Sequence, residues 1–146
     1  MPLHIQKLDA AELAWANDRY AEVDFLPSST TDFIAVALVD GKPAALGRVT
    51  EVAPRTGELG GMYVFPGFRG LGIAKHLIDY LVAECGLEAL FCLPFDHLAN
   101  LYASAGFLPH SGDTPVPDKV QSKHAWCNAH YPDPVLLMVR GSSAVI

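Results

Sequence analysis

The residues that most invite chemistry lie in one run, Val64-Phe65-Pro66-Gly67-Phe68-Arg69-Gly70-Leu71-Gly72-Ile73-Ala74. A strand-like apolar segment leads in, a glycine-rich turn follows, and an amphipathic stretch leads out. Every helix opens with about four backbone N–H groups that lack a partner inside the helix. A Ser, Thr, Asp or Asn commonly supplies an acceptor there, and none stands near this start. Gly70 and Gly72 let another group approach the backbone with no Cβ in the way. The positive end of the helix favours an anion, and Arg69 adds a full charge. The chemistry these residues predict is the binding of an anion the size of a pyrophosphate.

Two common phosphate loops do not fit. A P-loop requires Gly-Lys-Ser/Thr, which is absent. A dinucleotide fingerprint requires a third glycine where Lys75 stands, and an acidic residue about 20 positions on at a strand end. Other reactive side chains are scattered. His124, Cys127 and His130 spell His-x-x-Cys-x-x-His, three soft ligands without the fourth that a structural zinc site takes. No metal is expected; the segment reads as a loop lining a pocket or packing on the last strand, with Trp126 and Tyr131 shaping it. His97 and His110 have side chains that titrate near neutrality and are alternative bases. No Gly-x-Ser-x-Gly elbow of a serine hydrolase is present.

The elements that must hold these residues follow from periodicity and turn chemistry. Residues 3–8 read as a short strand. Asp9 is placed to N-cap a helix, with Glu12 as its capping-box partner and Leu13, Ala14, Ala16, Tyr20 and Ala21 as its apolar face. Residues 27–31 are loop, 33–39 a strand rich in β-formers, and Asp40-Gly41 a hairpin turn. Strands over 44–52 and 58–65, joined by a turn at 54–57, complete a meander. Residues 70–85 carry helical spacing through Ile73, Ala74, Leu77, Ile78, Leu81 and Val82, and Gly86 stands where a helix ends. A buried strand is predicted at 89–93, and a helix capped by Asp96 from there to about 105, ended by Gly106. An extended piece starts at Phe107, the Pro-rich stretch 109–134 is left without an element, and 135–139 is a last apolar strand. The order β-α-β-β-β-α-β-α-β-β predicts an α/β protein with one mixed sheet.

Composition narrows the function. The chain has 146 residues, the length of one domain, and its 51% apolar content suffices for a core. The net charge of −6 argues against nucleic acid or an anionic membrane as a general partner, since both select for Lys and Arg. Three cysteines are too few and too odd in number for a disulfide framework, which predicts a reduced, cytoplasmic setting. The first residues lack the pattern of a signal peptide, and the apolar run 33–39 is far short of a membrane span.

The loop and its surroundings resemble the GNAT superfamily of N-acetyltransferases. Arg69, Gly72 and Ala74 meet its Gln/Arg-x-x-Gly-x-Gly/Ala coenzyme A motif, within the longer match MYVFPGFRGLGIAKHLIDYL. The segment LYASAGF, 101–107, resembles the superfamily's second signature, Leu-Tyr-x-x-x-Gly-Phe. The element order fits from residue 3 to 140, nearly the whole chain. One departure is Phe95, which stands where many members carry an Asn seven residues before the Tyr; Asn100 is nearby in another register.

The resemblance implies a single domain over 1–146, a mostly antiparallel sheet of six to seven strands with helices on it, and a splay between the fourth and fifth strands. It implies acetyl-CoA as cosubstrate in that cleft, bound through Met62, Tyr63, Val64, Arg69, Gly70, Leu71, Gly72, Ile73, Ala74 and Asn100. Met62 and Val64 would offer backbone groups to pantetheine and the oxyanion, with Gly60-Gly61 compatible with a bulge. Glu58, eleven residues before Arg69, matches a catalytic base. It can equally be a solvent-facing residue at a strand start. Tyr102 matches the residue that helps the thiolate leave, or an aromatic that packs. The implied reaction is direct transfer of acetyl to a primary amine of a small molecule. A protein acceptor, a longer acyl chain, and a non-catalytic acyl-CoA sensor remain open alternatives. A homodimer is compatible with the apolar last strand.

Overall fold

The computed structural model describes residues 2–112 and 115–141. Seven strands and four α-helices lie along them. The strands are β1 (Leu3–Lys7), β2 (Phe33–Val39), β3 (Lys42–Ala53), β4 (Thr56–Val64), β5 (Ala89–Cys92), β6 (Leu108–Pro109) and β7 (Met138–Arg140). The helices are α1 (Leu13–Ala21), α2 (Ile73–Glu84), α3 (Ala99–Ala103) and α4 (Asp118–His130). Strand order in the sheet is β1-β2-β3-β4-β5-β7-β6. The chain divides into two units, one made of the residues through Thr50 with Gly60–Cys85, the other of Glu51–Leu59 with the residues from Gly86 onward.

In the first unit β1 and β2 are antiparallel, Leu3 opposite Val39 and Lys7 opposite Ala35. Asp40 (φ 51°) and Gly41 (φ 78°) make the tight turn that sends β3 back along β2. Alternation along these strands assigns two different jobs. Ile34, Val36 and Leu46 pack with Leu8, Ala16, Tyr20 and Tyr63 in one apolar cluster, with Trp15 and Phe65 against it. The alternate positions carry small residues: Ala35 is opposite Gly47 and Ala37 opposite Ala45. A Cβ on Gly47 would stand 2.7 Å from Met62 Sδ and 2.9 Å from Leu81 Cδ1. That face is therefore cut back to admit α2, which buries Ile73, Leu77, Ile78 and Leu81. On α1 the buried side chains are Ala16 and Tyr20, while Ala14 and Ala21 of the predicted apolar face are exposed and Trp15 takes up packing in their place. Asp9 does cap, accepting from the Ala11 N–H at 3.1 Å. It opens a 3-10 turn, Ala10–Glu12, and α1 follows.

In the second unit β5 runs parallel to the first part of β4, from Thr56 opposite Ala89 to Leu59 opposite Cys92. The pairing stops there, and β4 continues to Val64. β7 lies antiparallel between β5 and β6. Both edges of this last strand are thus taken, and edge-to-edge pairing of two copies through it is not available. It is also shorter than the predicted 135–139: Val135 makes only an isolated bridge to Phe95, and the ladder begins at Met138. Asp96 sits inside a 3-10 turn, Asp96–Leu98, whose N-cap is Phe95; α3 follows and is five residues long. The Pro-rich stretch holds α4, thirteen residues, opening after Pro117. Proline fixes φ and donates no N–H, so it ends one element and starts a helix with equal ease. Phe91, Phe107, Val120, Met138, Cys127 and Tyr102 are among the buried residues of this unit.

Candidate functional site

The first unit carries the anion-binding candidate. β4 ends at Val64, Phe68 N–H donates to Phe65 O at 3.1 Å to close a turn, and α2 begins at Ile73. Gly72 is the N-cap, at φ 76° and ψ 15°, and no side chain hydrogen-bonds the opening amides among the described residues. Gly70 is also left-handed, and a Cβ on either glycine would meet no atom within 4 Å. The glycines are there for backbone shape and open access, not because a neighbour crowds them. No acidic residue lies in the first turn of α2, so the helix dipole is not neutralised from within. Lys75 pairs with Asp79 one turn on, at 2.5 Å. Arg69 is exposed, its Nε 3.4 Å from Val64 O. Leu71 is exposed beside it, while Ile73 is fully buried and anchors the helix start. Ala74 follows, half-buried.

Upstream, Gly61 takes a left-handed φ of 59° within β4. A Cβ there would stand 2.7 Å from Arg48 Nε. Arg48 lies over the Tyr20 ring at 4.5 Å and donates to Leu26 O and Ser28 Oγ at 2.8 and 2.6 Å, tying down the loop after α1. The left-handed residue breaks the alternation of β4. Simple alternation would set Glu58, Gly60, Met62 and Val64 on one face, and the left-handed Gly61 interrupts that face. Met62 is directed to the α2 side, beside Gly47. The Tyr63 ring packs in the α1 cluster and its hydroxyl donates to Glu22 Oε1 at 3.0 Å, so its side chain is committed to structure.

The second unit carries the acid–base candidates. Glu58 is nearly covered, its side chain 12% exposed, and Lys123 Nζ of α4 donates to its Oε2 at 2.7 Å. Burial pushes the Cys92 thiol well above its ordinary range, and the nearby Glu58 carboxylate adds to this. Burial likewise raises Cys127, with Lys123 opposing and Glu58 reinforcing. Tyr102 is buried, edge-on to Phe107 with ring centroids 5.9 Å apart. Its phenol is held protonated by burial first and by Cys92 second. Glu58 is thus paired directly with Lys123, and its carboxylate acts on both buried thiols, Cys92 and Cys127. Asn100 lies on the exposed side of α3. His97 is exposed and stacks on Phe95, and the His110 backbone N–H donates to Leu137 O.

The His124, Cys127 and His130 segment is helical rather than a loop, and each of the three side chains is engaged elsewhere. His124 Nε2 donates to Val135 O at 2.7 Å, His130 Nδ1 lies 2.8 Å from Trp126 O, and Cys127 points inward. No group of three His, Cys, Asp or Glu able to hold a metal is gathered among the described residues. Lys123 was not singled out in the sequence. The faint signal for its helix is Pro117-Asp118 at the start and Val120, His124 and Cys127 in helical spacing.

The model of the acetyltransferase (GNAT) family matches residues 4–107. Comparison with curated proteins returns no match. Among solved structures, the ribosomal-protein-S18-alanine N-acetyltransferase of Escherichia coli is similar at TM-score 0.68 and 18% identity, covering 99% of this chain and 97% of that one. A spermidine N-acetyltransferase chimera from Vibrio cholerae and hSSAT is similar at TM-score 0.62 and 15% identity, covering 97% and 96%. The N-acetylglutamate synthase of Neisseria gonorrhoeae, complexed with coenzyme A and N-acetyl-glutamate, is similar at TM-score 0.70 and 15% identity, covering 99% of this chain. This chain spans 36% of that longer one. With the family model matching 4–107 of 146 residues, the chain belongs to the acetyltransferase (GNAT) family.

Proposed function

We propose that the protein transfers the acetyl group of acetyl-CoA to a primary amine of a small molecule. The observation that carries this reading is the start of α2, which opens on left-handed Gly72 with no side-chain cap, open space at Gly70 and Gly72, and Arg69 alongside. Those residues fit a diphosphate: the opening N–H groups of α2 have no side-chain cap, the positive helix end favours an anion, and the first turn carries no acidic residue. The similar Neisseria enzyme holds coenzyme A. The reading places the protein in the cytoplasm, where its three cysteines stay as the free thiols seen here.

Acetyl-CoA, when bound, supplies an acyl carbon activated as a thioester. The chain's own residues supply the rest. An amine with a lysine-like pKa of about 10.4 is neutral in only about one molecule in 10³ near pH 7.4. Glu58 takes the ammonium proton. Its covered carboxylate already holds one ammonium, that of Lys123, at 2.7 Å. Tyr102 would offer the leaving sulfur a hydrogen bond, with a proton it does not readily give up. A phenol held above its ordinary pKa is a poor acid toward a thiolate of pKa about 8.5. Tyr102 therefore stabilises that sulfur through a hydrogen bond, short of full proton transfer. Backbone groups of Met62 and Val64, next to the left-handed Gly61, serve the developing oxyanion.

Calorimetric titration with coenzyme A and acetyl-CoA, followed by thiol release across amines, amino acids and polyamines, tests the proposal. Binding with amine-dependent thiol release is expected. Binding without release for any acceptor leaves the acyl-CoA sensor as the answer, and absence of binding removes the whole reading. The similar Escherichia coli enzyme is named for a protein acceptor, so peptides with a free amino terminus belong in the same panel.

A further inference from the structure

A general base works on a proton within about 2.6–3.2 Å of it. Lys123 Nζ is 2.7 Å from Glu58 Oε2, on a carboxylate otherwise nearly closed to solvent. The proposed function makes this carboxylate the base for an attacking amine, and the amine resting on it belongs to the chain itself. We propose that Lys123 is a self-acetylation site: in the absence of acceptor it stands in the acceptor's place and takes the acetyl group. The inference rests on the reading of Glu58 as the base, because a thioester that an acceptor on Glu58 can attack is one that Lys123 can attack.

The step balances without a further reagent. Glu58 accepts one proton from the Lys123 ammonium. The freed Nζ lone pair attacks the thioester carbonyl carbon, the C–N bond forms and the C–S bond breaks. Coenzyme A leaves as the thiolate and gains the second nitrogen proton, while the proton on Glu58 passes to solvent. The product amide carries no charge, so the ion pair with Glu58 is lost. Acetylation at this position thus removes the internal occupant of the base. The Lys123 side chain is half exposed, so it can leave the carboxylate when an acceptor arrives.

The same helix supplies an internal control, since Lys119 lies one turn earlier and is exposed. The purified full chain is incubated with acetyl-CoA and no amine, and acetylation of each lysine is followed by peptide mass spectrometry. A general base contributes about 10²–10⁴-fold, so Lys123 should be labelled on the order of 10²-fold faster than Lys119. Excess of an amine that the enzyme acetylates should suppress the labelling, and Glu58→Gln should bring Lys123 down to the rate of Lys119. Should Glu58→Gln fail to fold, suppression by the amine in the native chain keeps the test intact. Equal, slow labelling of Lys119 and Lys123 in a chain that still acetylates added amines overturns the inference and leaves the proposed function standing. A chain that neither binds coenzyme A nor releases thiol overturns both.

Discussion

Replacing Gly72 separates the folding role of the α2 start from its binding role. Gly72 is left-handed, and a Cβ there meets nothing within 4 Å. No neighbour has to move for alanine, so the cost is that of the backbone alone, about 1–2 kcal/mol for an L-residue in this region. Each kcal/mol lowers the melting temperature of a chain this long by roughly 2–4 °C, so Gly72→Ala should melt roughly 2–8 °C lower. Asparagine tolerates the left-handed region better, and Gly72→Asn should lose less. Coenzyme affinity obeys a different rule. Both side chains put atoms into the open space beside the amides proposed to hold the diphosphate. One lost charge-assisted hydrogen bond costs about 1.5–3 kcal/mol, or roughly 10- to 150-fold in Kd. Urea unfolding reads the first quantity and calorimetric titration with coenzyme A the second. Both variants should bind more weakly, Gly72→Asn included, although its fold is nearly intact. Wild-type affinity in both, with the alanine variant destabilised as calculated, would refute the assignment of this helix start to an anion.

The remaining predictions concern the second unit and the core. Glu58→Gln should lower kcat by about 10²–10⁴-fold while leaving the Kd for coenzyme A unchanged, checked by steady-state kinetics beside titration. Tyr102→Phe should slow turnover without abolishing it, because the leaving thiolate is already a good leaving group; full activity at every pH would remove Tyr102 from the reaction. Gly47→Ala should destabilise by about 1–3 kcal/mol in denaturant, since its methyl would enter the space of Met62 and Leu81. Burial raises Tyr20, Tyr102 and Cys92 above their ordinary 10.0, 10.0 and 9.0. The unfolded chain gives up these protons first, so their contribution to stability is whole below about pH 9 and drains away as the pH rises further. Tyr20→Phe should make that alkaline decline shallower. It should also leave stability at pH 7 unchanged or slightly higher, because the hydroxyl it removes is buried with no partner among the described residues.

The first unit was legible because local rules decide its elements. β2 occupies the predicted 33–39, and Asp40-Gly41 makes the predicted hairpin because both residues tolerate positive φ. α2 forms where the 3.6-residue spacing lay, shortened at its start because Gly70 and Gly72 are left-handed and cannot be helical there. α1 shows where such reasoning stops. Alanine is apolar enough to be counted on either face, and only packing shows that Ala14 and Ala21 face outward while Trp15 turns in. The second unit was harder to read because its elements are short and draw their stability from tertiary contacts. Strand β6 has two residues, β7 three and α3 five. Helix α4 buries only Val120 and Cys127 along thirteen residues, which leaves almost no apolar stripe for a sequence reading to find.

That weak stripe bears on the site. The ion pair between Lys123 and Glu58 joins residues 65 positions apart, and no spacing rule connects a strand residue to a helix that was itself invisible. The two ends of the pair also differ in kind. Glu58 is nearly covered and Lys123 is half exposed, so the carboxylate is fixed by the sheet while the ammonium is the partner able to leave. Stability alone gives little reason for such a pair, since an exposed ion pair contributes little and the desolvation of a buried one can exceed its Coulombic gain. An arrangement with one rigid carboxylate and one displaceable ammonium suits a base that must exchange its resident cation for an incoming one. For that reason Lys123→Met should act in two directions. It removes the competitor for an amine acceptor and so lowers KM, and it strips a covered carboxylate of its partner and so costs stability. A purely structural pair would show the second effect without the first.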